Sequence, residues 1–481
     1  MTSNKYEVVI GLEVHAQLLT NSKLFCGDPT RFGADANTQV SPLTLAHPGT
    51  LPVMNEAVIY LALQLGMALK CEIVQDNFFA RKNYFYPDLP KAYQVSQHTA
   101  PICRGGHLSI KSDDGYKDIH LNRIHIEEDA GKSIHDRDAE FTCIDLNRAG
   151  IPLLEIVTEP CIHSARDAYS FLTELRRLLR WLQVCDGNME EGSMRCDANI
   201  SIRPTGSKTL GTRVEVKNLN SIRNVKLAIE IEINRLINIT EKGENIVQET
   251  RSFDADKAST FSLRNKEEAE DYRYFPEPDL PPFKITDEQL QNIKNSLPEL
   301  PYELIKKYTT NYGLSLYDAE MICSDKDDML YFESIIALCP KYKAVANWLQ
   351  GPIRSYCNEQ QLSLNRFPLP VPALCSLIEL NETGKVSFSN AGNKILHALI
   401  ASPVTPALEI ATQLNLLQEN NSDAIDEWVN QVLENLPDKV KAYKAGKKAL
   451  LGLFCGEVKK ISKGKADMQL AQRILLEKLS H

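Results

Sequence analysis

Hydrophobic and polar residues alternate along the stretch from Tyr6 to Leu18. The even positions are apolar and the odd positions are polar or glycine, with Val9 as the exception. A period of two residues predicts a β-strand with one apolar and one polar face. Glu13 and His15 are therefore neighbours on the polar face, where a carboxylate and an imidazole could bind one cation.

Further segments repeat this pattern and carry acids at alternate positions. They are Leu121–Asp129 with His125, Glu127 and Asp129, Leu153–Val157 with Glu155, Cys196–Arg203 with Asp197, and Arg213–Lys217 with Glu215. The Pro-Thr-Gly turn between the last two segments predicts that they form a hairpin. In the first of these segments Glu128 has the opposite parity, so it would point away from Glu127 unless the strand bulges or ends there.

The repeated acidic faces indicate a cation site if they line one cleft. Two unit charges about 6 Å apart repel by roughly 3 kcal/mol at an effective dielectric constant of about 20, and divalent cations would relieve that repulsion. Oxygen ligands with one or two imidazoles favour magnesium or manganese over zinc. The alternative is that each acid merely solvates the outer face of its own strand, and for any single acid this alternative stays open.

The first 282 residues and the remainder of the chain have different patterns. The first part alternates short strands with turns and a few helices, including predicted helices over 165–182, after Ser164 as a cap, and over 224–239. Prolines at 276, 278, 281 and 282 mark a boundary, because proline continues neither helix nor sheet. Beyond them the pattern is helical, so the sequence predicts an α+β fold of several domains.

Composition and charge narrow the class of protein. Hydrophobic residues make up 43% of the 481 residues and charged residues 24%, which are ordinary values for a globular protein. The chain has no apolar run long enough for a membrane span and no Cys-x-x-Cys pair, so we expect a cytoplasmic protein with reduced thiols, no zinc and no membrane contact.

Two segments have the residue types that bind nucleic acids. The net charge of −9 argues against a uniformly basic surface. The segment from Asp438 to Lys465, however, contains nine lysines and only two acidic residues. The run from Arg81 to Tyr93 mixes cations with aromatic residues, as surfaces that bind phosphates and unstacked bases do. A solvated helix face and loop packing are the commoner explanations of such runs.

Six longer motifs carry a resemblance to a known family. They are Val9–Gln17, Arg81–Asp88, His125–Lys132, Met189–Ser201, Glu215–Ser221 and Asp271–Asp279. Together they closely resemble the B subunits of aspartyl/glutamyl-tRNA amidotransferases along the whole chain. The resemblance implies a cradle domain with a glutamine-synthetase-like antiparallel sheet over 1–290, an all-helical domain over 291–405 and a small helical tail that binds tRNA over 406–481.

The resemblance also implies an activity and partners. In that family the B subunit uses ATP to phosphorylate the side-chain carboxylate of Glu misattached to tRNA-Gln, or of Asp misattached to tRNA-Asn, and ammonia then displaces the phosphate. The A subunit is an amidase that makes the ammonia from glutamine, and a small C subunit ties the two together in a heterotrimer. The implied cofactors are ATP, as a substrate, and Mg²⁺, with Mn²⁺ as an alternative.

Carried over motif by motif, the resemblance assigns residues to four roles. The metal and phosphoryl-transfer set is Glu13, His15, Glu127, Glu128, Glu155, Asp197 and Glu215. Glu13, His15, Glu128 and Lys82 are the catalytic residues, with Lys82 and Glu128 at the end of the ammonia path. We assign binding of ATP and substrate to Arg81, Tyr84, Lys91, Arg195, Lys217 and Arg273, and binding of tRNA to Lys447, Lys448, Lys459 and Lys463.

Two other functions are compatible with parts of this pattern. A free-standing ligase that amidates a small carboxylate would explain the acidic strands but not the basic tail. A non-catalytic adaptor that binds tRNA would explain the tail and would leave the acids a structural role. The sequence does not decide between Glu-tRNA and Asp-tRNA as the substrate.

Overall fold

The computed structural model describes residues 5–113, 115–265, 272–418, 422–462 and 465–480. Its contacts divide the chain into two compact units, Met1–Leu300 and Pro301–His481. The described strands all lie in the first unit, and the second is built from helices. This confirms the predicted change of pattern along the chain and the α+β class.

The strands of the first unit are β1 (Tyr6–Gln17), β2 (Glu72–Ile73), β3 (Asp76–Asn77), β4 (Ala80–Asn83), β5 (Tyr93–Ser96), β6 (Cys103–Arg104), β7 (His107–Ser112), β8 (Gly115–Glu128), β9 (Lys132–Ile134), β10 (Cys143–Asp145), β11 (Pro152–Thr158), β12 (Met194–Pro204), β13 (Val214–Leu219), β14 (Glu249–Asp254), β15 (Ser259–Asn265), β16 (Phe275–Pro276) and β17 (Phe283–Lys284). Its helices are α1 (Glu56–Ala68), α2 (Ala165–Trp181), α3 (Ile222–Glu241) and α4 (Asp287–Ser296).

A ten-stranded sheet organises this unit around β1. Its strand order is β15-β14-β13-β12-β1-β11-β8-β6-β2, with β7 paired to β8 outside this path. The even residues of β1 from Ile10 to Ala16 are at most 1% exposed, so the apolar face that the period predicts is the buried one. The predicted hairpin is also confirmed, because β12 and β13 pair antiparallel.

One pair of strands in this sheet departs from the antiparallel arrangement. Strands β13 and β14 run parallel, because the whole of α3 lies between them in the chain and returns it to the same end of the sheet. The sequence pattern predicted α3 but gave no direction for the strand that follows it.

Serine side chains cap the first turns of helices α2 and α3, and of these two caps the sequence predicted Ser164. Ser164 accepts a hydrogen bond from the Asp167 amide, and Ser221 accepts one from the Asn224 amide. The predicted helix after Ser164 is confirmed, and the second is longer at both ends than predicted. Both helices pack against each other, α2 also against β7 and α3 against β12, so they cover strands of the sheet.

The proline-rich segment lies inside the first unit rather than at its end. Phe275–Pro276 pairs with β4, and Phe283–Lys284 pairs with β3, so the chain on either side of these prolines still belongs to the sheets of this unit. The glutamine-synthetase-like cradle and the three domain ranges 1–290, 291–405 and 406–481 remain predictions.

The second unit contains only helices among its described residues. They are α5 (Pro301–Thr310), α6 (Leu316–Ile322), α7 (Lys326–Ile336), α8 (Tyr342–Trp348), α9 (Arg354–Glu359), α10 (Val371–Glu382), α11 (Phe388–Asn390), α12 (Leu396–Ala401), α13 (Ala407–Gln413), α14 (Ser422–Asn435), α15 (Pro437–Lys444), α16 (Leu451–Ile461) and α17 (Met468–Ser480), with π-helical turns at Leu349–Ile353 and Ala391–Ile395 and 3₁₀ turns at Leu364–Arg366 and Lys448–Leu450.

Helices α14 to α17 share a core of their own, which includes Val429, Phe454 and Leu475.

The two π-helical turns, which precede these helices in the chain, approach each other closely. A Cβ atom at Gly392 would lie 2.6 Å from Cγ of Pro352, so only glycine allows this contact. Among the described residues, none of the helices is long and apolar enough to cross a lipid bilayer.

Candidate metal centre on the polar face of the sheet

Strand register brings the predicted acids together on one face of the sheet. Glu13 pairs with Asp197 across β1 and β12, and His15 pairs with Glu155 across β1 and β11. Glu155 in turn lies opposite His125 on β8. Residues directly opposite each other in antiparallel strands point to the same face. The neighbouring strands β8, β11, β1 and β12 therefore all contribute side chains to one group.

Five of these residues form what we call the acidic cluster: Glu13, His15, His125, Glu127 and Glu155. The His15 Nε2 atom lies 3.8 Å from Glu13 Oε1, 3.7 Å from Glu127 Oε1 and 3.5 Å from Glu155 Oε2. The His125 Nε2 atom lies 3.4 Å from both Glu127 Oε2 and Glu155 Oε2. The two histidines therefore face the same carboxylates.

The acidic cluster has the ligands of a divalent cation site. Glu13, His15 and Glu155 form one set, His125, Glu127 and Glu155 another, and the ligand atoms of each set lie within 4.8 Å of one another. Carboxylate oxygens with one or two imidazole nitrogens suit magnesium or manganese. The residues present thus fit the cation that the sequence pattern predicts.

The protonation of the acidic cluster shows how strongly it attracts positive charge. Burial and the charge of Glu155 raise the pKa of Glu13. Burial alone would lower the pKa of each histidine, but the carboxylates around them reverse the effect, so that the pKa of His15 is raised and that of His125 reaches about 9. In return the two histidines hold the pKa of Glu155 well below its usual range against the effect of burial. The protonated His125 imidazole therefore supplies positive charge that a cation would otherwise bring.

Lysines border the acidic cluster on two sides. The Lys82 ammonium lies 4.8 Å from the Tyr272 ring centre, and the charge of Glu127 raises its pKa although burial opposes the shift. Lys217 pairs with Asp197 and lies 3.3 Å from Glu215 Oε1. The sequence associated Lys82 with Glu128, but in the structure the charge of Glu127 acts on Lys82, and Glu128 pairs with Lys91. Lys217 lies near Glu215, its neighbour on the same face of the predicted strand.

Next to the acidic cluster lies a cavity of about 510 Å³, which we call the central cavity. His15, Asp197, Lys217 and Arg195 are among the residues that line it. Arg195 is held by Asp129, whose Oδ2 atom lies 3.0 Å from the guanidinium Nη1. Arg195 and Arg148 hold the pKa of this fully buried Asp129 carboxyl below its usual value, although burial opposes them.

Glu128 lies apart from the acidic cluster. Strand β8 ends at this residue, and its carboxylate accepts hydrogen bonds from Lys91 and, at 2.8 Å, from the Val95 amide. It is 2% exposed. The opposite parity of Glu127 and Glu128 therefore separates two adjacent acids, and among the residues that the structure describes neither set of candidate ligands includes Glu128.

Other residues assigned to ATP or substrate already have protein partners. Arg81 donates to Glu277 at 2.7 Å and to Asp279 at 2.9 Å, and it lies over the Tyr93 ring. Burial and the neighbouring Asp88 raise the pKa of Tyr84 above its usual range.

Arg273 is exposed and has a left-handed backbone φ of 45°. Glu215 accepts a hydrogen bond from Thr250 at 2.8 Å and stands outside both candidate ligand sets.

Three of the lysines assigned to tRNA lie near the end of the second unit, Lys447 and Lys448 between α15 and α16 and Lys459 on α16. Lys447, Lys448 and Lys459 are exposed, and the Lys448 ammonium lies 4.3 Å from the Tyr443 ring centre. Lys463 falls outside the described residues.

Sequence reasoning left His125 and Asp129 without assigned roles. The alternation predicts both on the polar face of the segment, two residues before and two residues after Glu127, and Asp129 directly follows the end of β8. The signal for His125 was therefore present, since an imidazole two residues from an acid on a strand repeats the pairing of Glu13 with His15. The partner of Asp129 is Arg195 on β12, and the pattern within the segment 121–129 does not predict a contact with another strand.

Comparison with known proteins gives matches along nearly the whole chain. A family model described as "GatB/GatE catalytic domain" matches residues 8–291, and one described as "GatB domain" matches residues 330–479. The B subunit of the aspartyl/glutamyl-tRNA(Asn/Gln) amidotransferase from Geotalea uraniireducens is 47% identical over 479 residues, which cover 99% of this chain and all of the relative. Proteins with the same name from Thermodesulfovibrio yellowstonii and Chlorobium limicola are 44% and 46% identical, with at least 98% of each chain covered.

Proposed function

The chain belongs to the family of aspartyl/glutamyl-tRNA(Asn/Gln) amidotransferase B subunits, and we propose that its acidic cluster is where ATP activates the carboxylate of the misacylated amino acid. As a member of this family it is a subunit of a tRNA-dependent amidotransferase, a carbon–nitrogen ligase that takes its amide nitrogen from glutamine. The observation that carries the proposal is the convergence of three carboxylates and two histidines on one sheet face.

The reaction needs an activated carboxylate. Ammonia cannot displace oxide from a carboxylate, so an oxygen of the Glu or Asp side chain first attacks the γ-phosphorus of ATP, and the bond to ADP breaks. The nitrogen of ammonia then attacks the acyl carbon, the amide bond forms and phosphate leaves. Since phosphoryl transfer depends on position and charge screening, the residues of the site have to align two anions.

The chain supplies groups that can screen the charges of the two anions and groups that can hold them in position. We propose that Glu13, His15, His125, Glu127 and Glu155 hold a divalent cation, Mg²⁺ or else Mn²⁺. When bound, this cation would screen the phosphates of ATP and the attacking carboxylate. Lys217 and Arg195 line the central cavity beside the acidic cluster, where they can bind phosphate oxygens.

Asp197 and Glu215 flank Lys217 in this proposal and hold its ammonium in place. Arg81, Tyr84, Lys91 and Arg273 keep their assignment to ATP and substrate only as predictions. For Arg81 and Lys91, binding a phosphate would require giving up an existing ion pair with Glu277 or Glu128.

We also propose that ammonia reaches the acidic cluster past Glu128 and Lys82. A narrow cavity of about 10 Å³ is lined by Lys23, Lys91 and Glu128. A cavity of about this size is just large enough to hold one small polar molecule such as water or ammonia. Glu128 could hold ammonium or accept its proton there, and Lys82 is close enough to Glu127 of the acidic cluster for their charges to interact.

Partners and substrate follow from the family and the charge pattern. We propose that the chain assembles with an amidase, the A subunit of the family, and with the small C subunit in a cytoplasmic heterotrimer, and that its substrate is a misacylated tRNA-Gln or tRNA-Asn. Lys447, Lys448, Lys459 and Lys463 would contact the tRNA backbone. The first three are exposed, and exposed lysines bind phosphates without reading sequence. In this proposal the first unit is the glutamine-synthetase-like cradle.

A reconstituted complex tests the proposed function. ATP hydrolysis should require Glu-tRNA-Gln or Asp-tRNA-Asn, and glutamine should serve as nitrogen donor only when the partner subunits are present. Hydrolysis stimulated by free glutamate without tRNA would instead favour a small-molecule ligase. No ATP turnover with either misacylated tRNA would favour an adaptor. Glutamine-dependent activity of the purified chain alone would contradict the proposal that the A subunit makes the ammonia.

A further inference from the structure

The Lys82 ammonium is held by an aromatic ring and not by a carboxylate. Its Nζ atom lies 4.8 Å from the centre of the Tyr272 ring. Among the residues that the structure describes, none forms an ion pair or a hydrogen bond with this ammonium. Lys82 nevertheless lies close enough to Glu127 for the two charges to interact.

Two other cations beside the acidic cluster are held differently. Lys217 pairs with Asp197, and Arg195 lies 3.0 Å from Asp129 Oδ2. Their charges are therefore partly cancelled by protein carboxylates. The ring beneath Lys82 attracts the cation through its electron-rich face and carries no net charge, so the lysine keeps its full charge.

A bulge in the chain just before β16 brings Tyr272 to this position. Phe275 pairs with Arg81, and regular antiparallel pairing would then place Arg273 opposite Asn83. Instead the Asn83 amide donates to the Tyr272 carbonyl oxygen at 3.0 Å, and Arg273 has its left-handed φ of 45°. The extra residue re-aims the side chains before β16, as a bulge does, and the Tyr272 ring reaches the lysine that follows Arg81.

Tyr274 supports the Tyr272 ring from the side. The two ring centres lie 6.2 Å apart with an angle of 71° between the ring planes, and Tyr274 is itself stacked on His98 at 4.0 Å. Tyr272, Tyr274 and Lys82 are all half-buried. Partial removal of water strengthens a cation–π contact, so this contact is stronger than one on the open surface.

We propose that Tyr272 is a positioning residue for Lys82. Its ring holds the ammonium beside the acidic cluster and keeps it out of an ion pair with Glu127. The three N–H groups of the lysine thus stay available to an anionic group of the substrate. The inference rests on the proposed function, which brings phosphate and carboxylate groups to this face of the sheet.

The first test changes the charge distribution of the ring and keeps its shape. Tyr272→Phe in the complex should form amide from Glu-tRNA-Gln and ammonium chloride within about 2-fold of the natural rate. Pentafluorophenylalanine at position 272 has nearly the same shape but repels a cation, so the rate should fall about 5- to 10-fold. Equal rates with the two rings would overturn the inference, because a structural role alone does not distinguish them.

The matched control makes the same two changes at Tyr169 on α2. This tyrosine is 41% exposed in the same unit, and among the described cations none lies over its ring. The two rings at position 169 should give equal rates.

The second test asks whether the ring acts through the lysine. Lys82→Met keeps the aliphatic stem and removes the charge, and single-turnover reactions keep slow rates measurable. In this background, exchanging phenylalanine for pentafluorophenylalanine at position 272 should change the rate less than about 2-fold. A loss as large as in the natural background would overturn the inference.

Crystal structures of the complex separate this inference from the proposed function, because they need no turnover. In Tyr272→Leu the Lys82 ammonium should move to within about 4 Å of a Glu127 oxygen, whereas in Tyr272→Phe it should stay over the ring. That result supports the inference even if no amidation is seen. An unchanged ammonium in Tyr272→Leu, or one that moves into solvent, overturns it even if amidation is normal.

Discussion

The polar face of the sheet and the basic terminal helices both concentrate charge of one sign, but they do so in different ways. In the acidic cluster Glu127 is 4% and Glu155 8% exposed, and their charges meet at distances below 4 Å from two histidines. Among the described tail residues assigned to tRNA, the lysines are exposed and separate. Buried like charges need compensation, whereas exposed lysines are solvated and cost little.

This difference indicates which of the two charge patterns is by itself evidence of function. A run of lysines on a solvated helix needs no partner to be stable, so its composition alone is weak evidence of binding. Carboxylates buried together raise the pKa of His125 to about 9 and therefore demand a cation or a proton. The acidic cluster is thus the stronger indication of a catalytic or binding site.

The largest effect is expected for Glu13→Gln. The change keeps the shape of the side chain but removes one anionic ligand, so tRNA-dependent ATP hydrolysis by the complex should fall about 100-fold or more, which corresponds to several kcal/mol of charge stabilisation. Glu7→Gln is the matched control on the same strand and face. Glu7 pairs with Arg203 at the surface, and its loss should leave the rate within about 2-fold. Equal rates in the two variants would contradict the role of Glu13.

A smaller effect is expected for Asp129→Asn, which acts through Arg195. The amide can keep one acceptor oxygen but removes the charge that orients the guanidinium at 3.0 Å. We expect a loss of about 10- to 100-fold in kcat/KM for ATP, as for other groups that orient a binding residue. Rescue by Asp129→Glu, measured in the same steady-state assay, would support a positioning role; an unchanged kcat/KM in Asp129→Asn would exclude it.

The pH dependence of the metal-free protein should reveal the acidic cluster. The pKa of His125 is raised to about 9 from an ordinary value of 6.5, so its contribution to stability is complete below about pH 6.5 and is lost as pH rises through about 9. The free energy of unfolding, measured by denaturant titration, should therefore fall over this interval. His125→Asn should flatten that part of the curve; a curve unaffected by this change would contradict the assignment.

The smallest effects are expected in the basic tail. Lys447→Ala, Lys448→Ala and Lys459→Ala should each weaken tRNA binding only a few-fold and reduce the slope of log K against log salt by about 1 or less. The rate of ATP hydrolysis at saturating tRNA should not change. Lys306→Ala, in α5 of the same unit, serves as an exposed-lysine control. A large loss of kcat in a tail variant would contradict the claim that the tail contributes to tRNA binding and not to the reaction.

Local periodicity predicted much of the fold, because alternation in β1 and helical spacing after Ser164 are short-range signals. It also placed Glu13, His15 and Glu127 on polar faces. The partners of Arg81 could not be predicted in this way, since Glu277 lies 196 residues away along the chain. The different surroundings of Glu127 and Glu128 depend on where β8 ends, which the sequence left open.

A cavity of about 650 Å³ at the end of β1 shows the same limit more strongly. Phe32, Gln39 and Lys132 belong to segments with no shared pattern, and only tertiary packing brings them to the end of β1. The parallel pairing of β13 and β14 likewise depends on the path of α3 and not on the pattern within either strand.

Binding of Mn²⁺ to the metal-free complex, measured by electron paramagnetic resonance without ATP, tests the central claim most directly. Glu155 belongs to both candidate ligand sets, so Glu155→Gln should weaken Mn²⁺ binding at least about 10-fold while Glu7→Gln leaves it unchanged. Unaltered Mn²⁺ affinity in Glu155→Gln would contradict the claim that the acidic cluster is a divalent cation site.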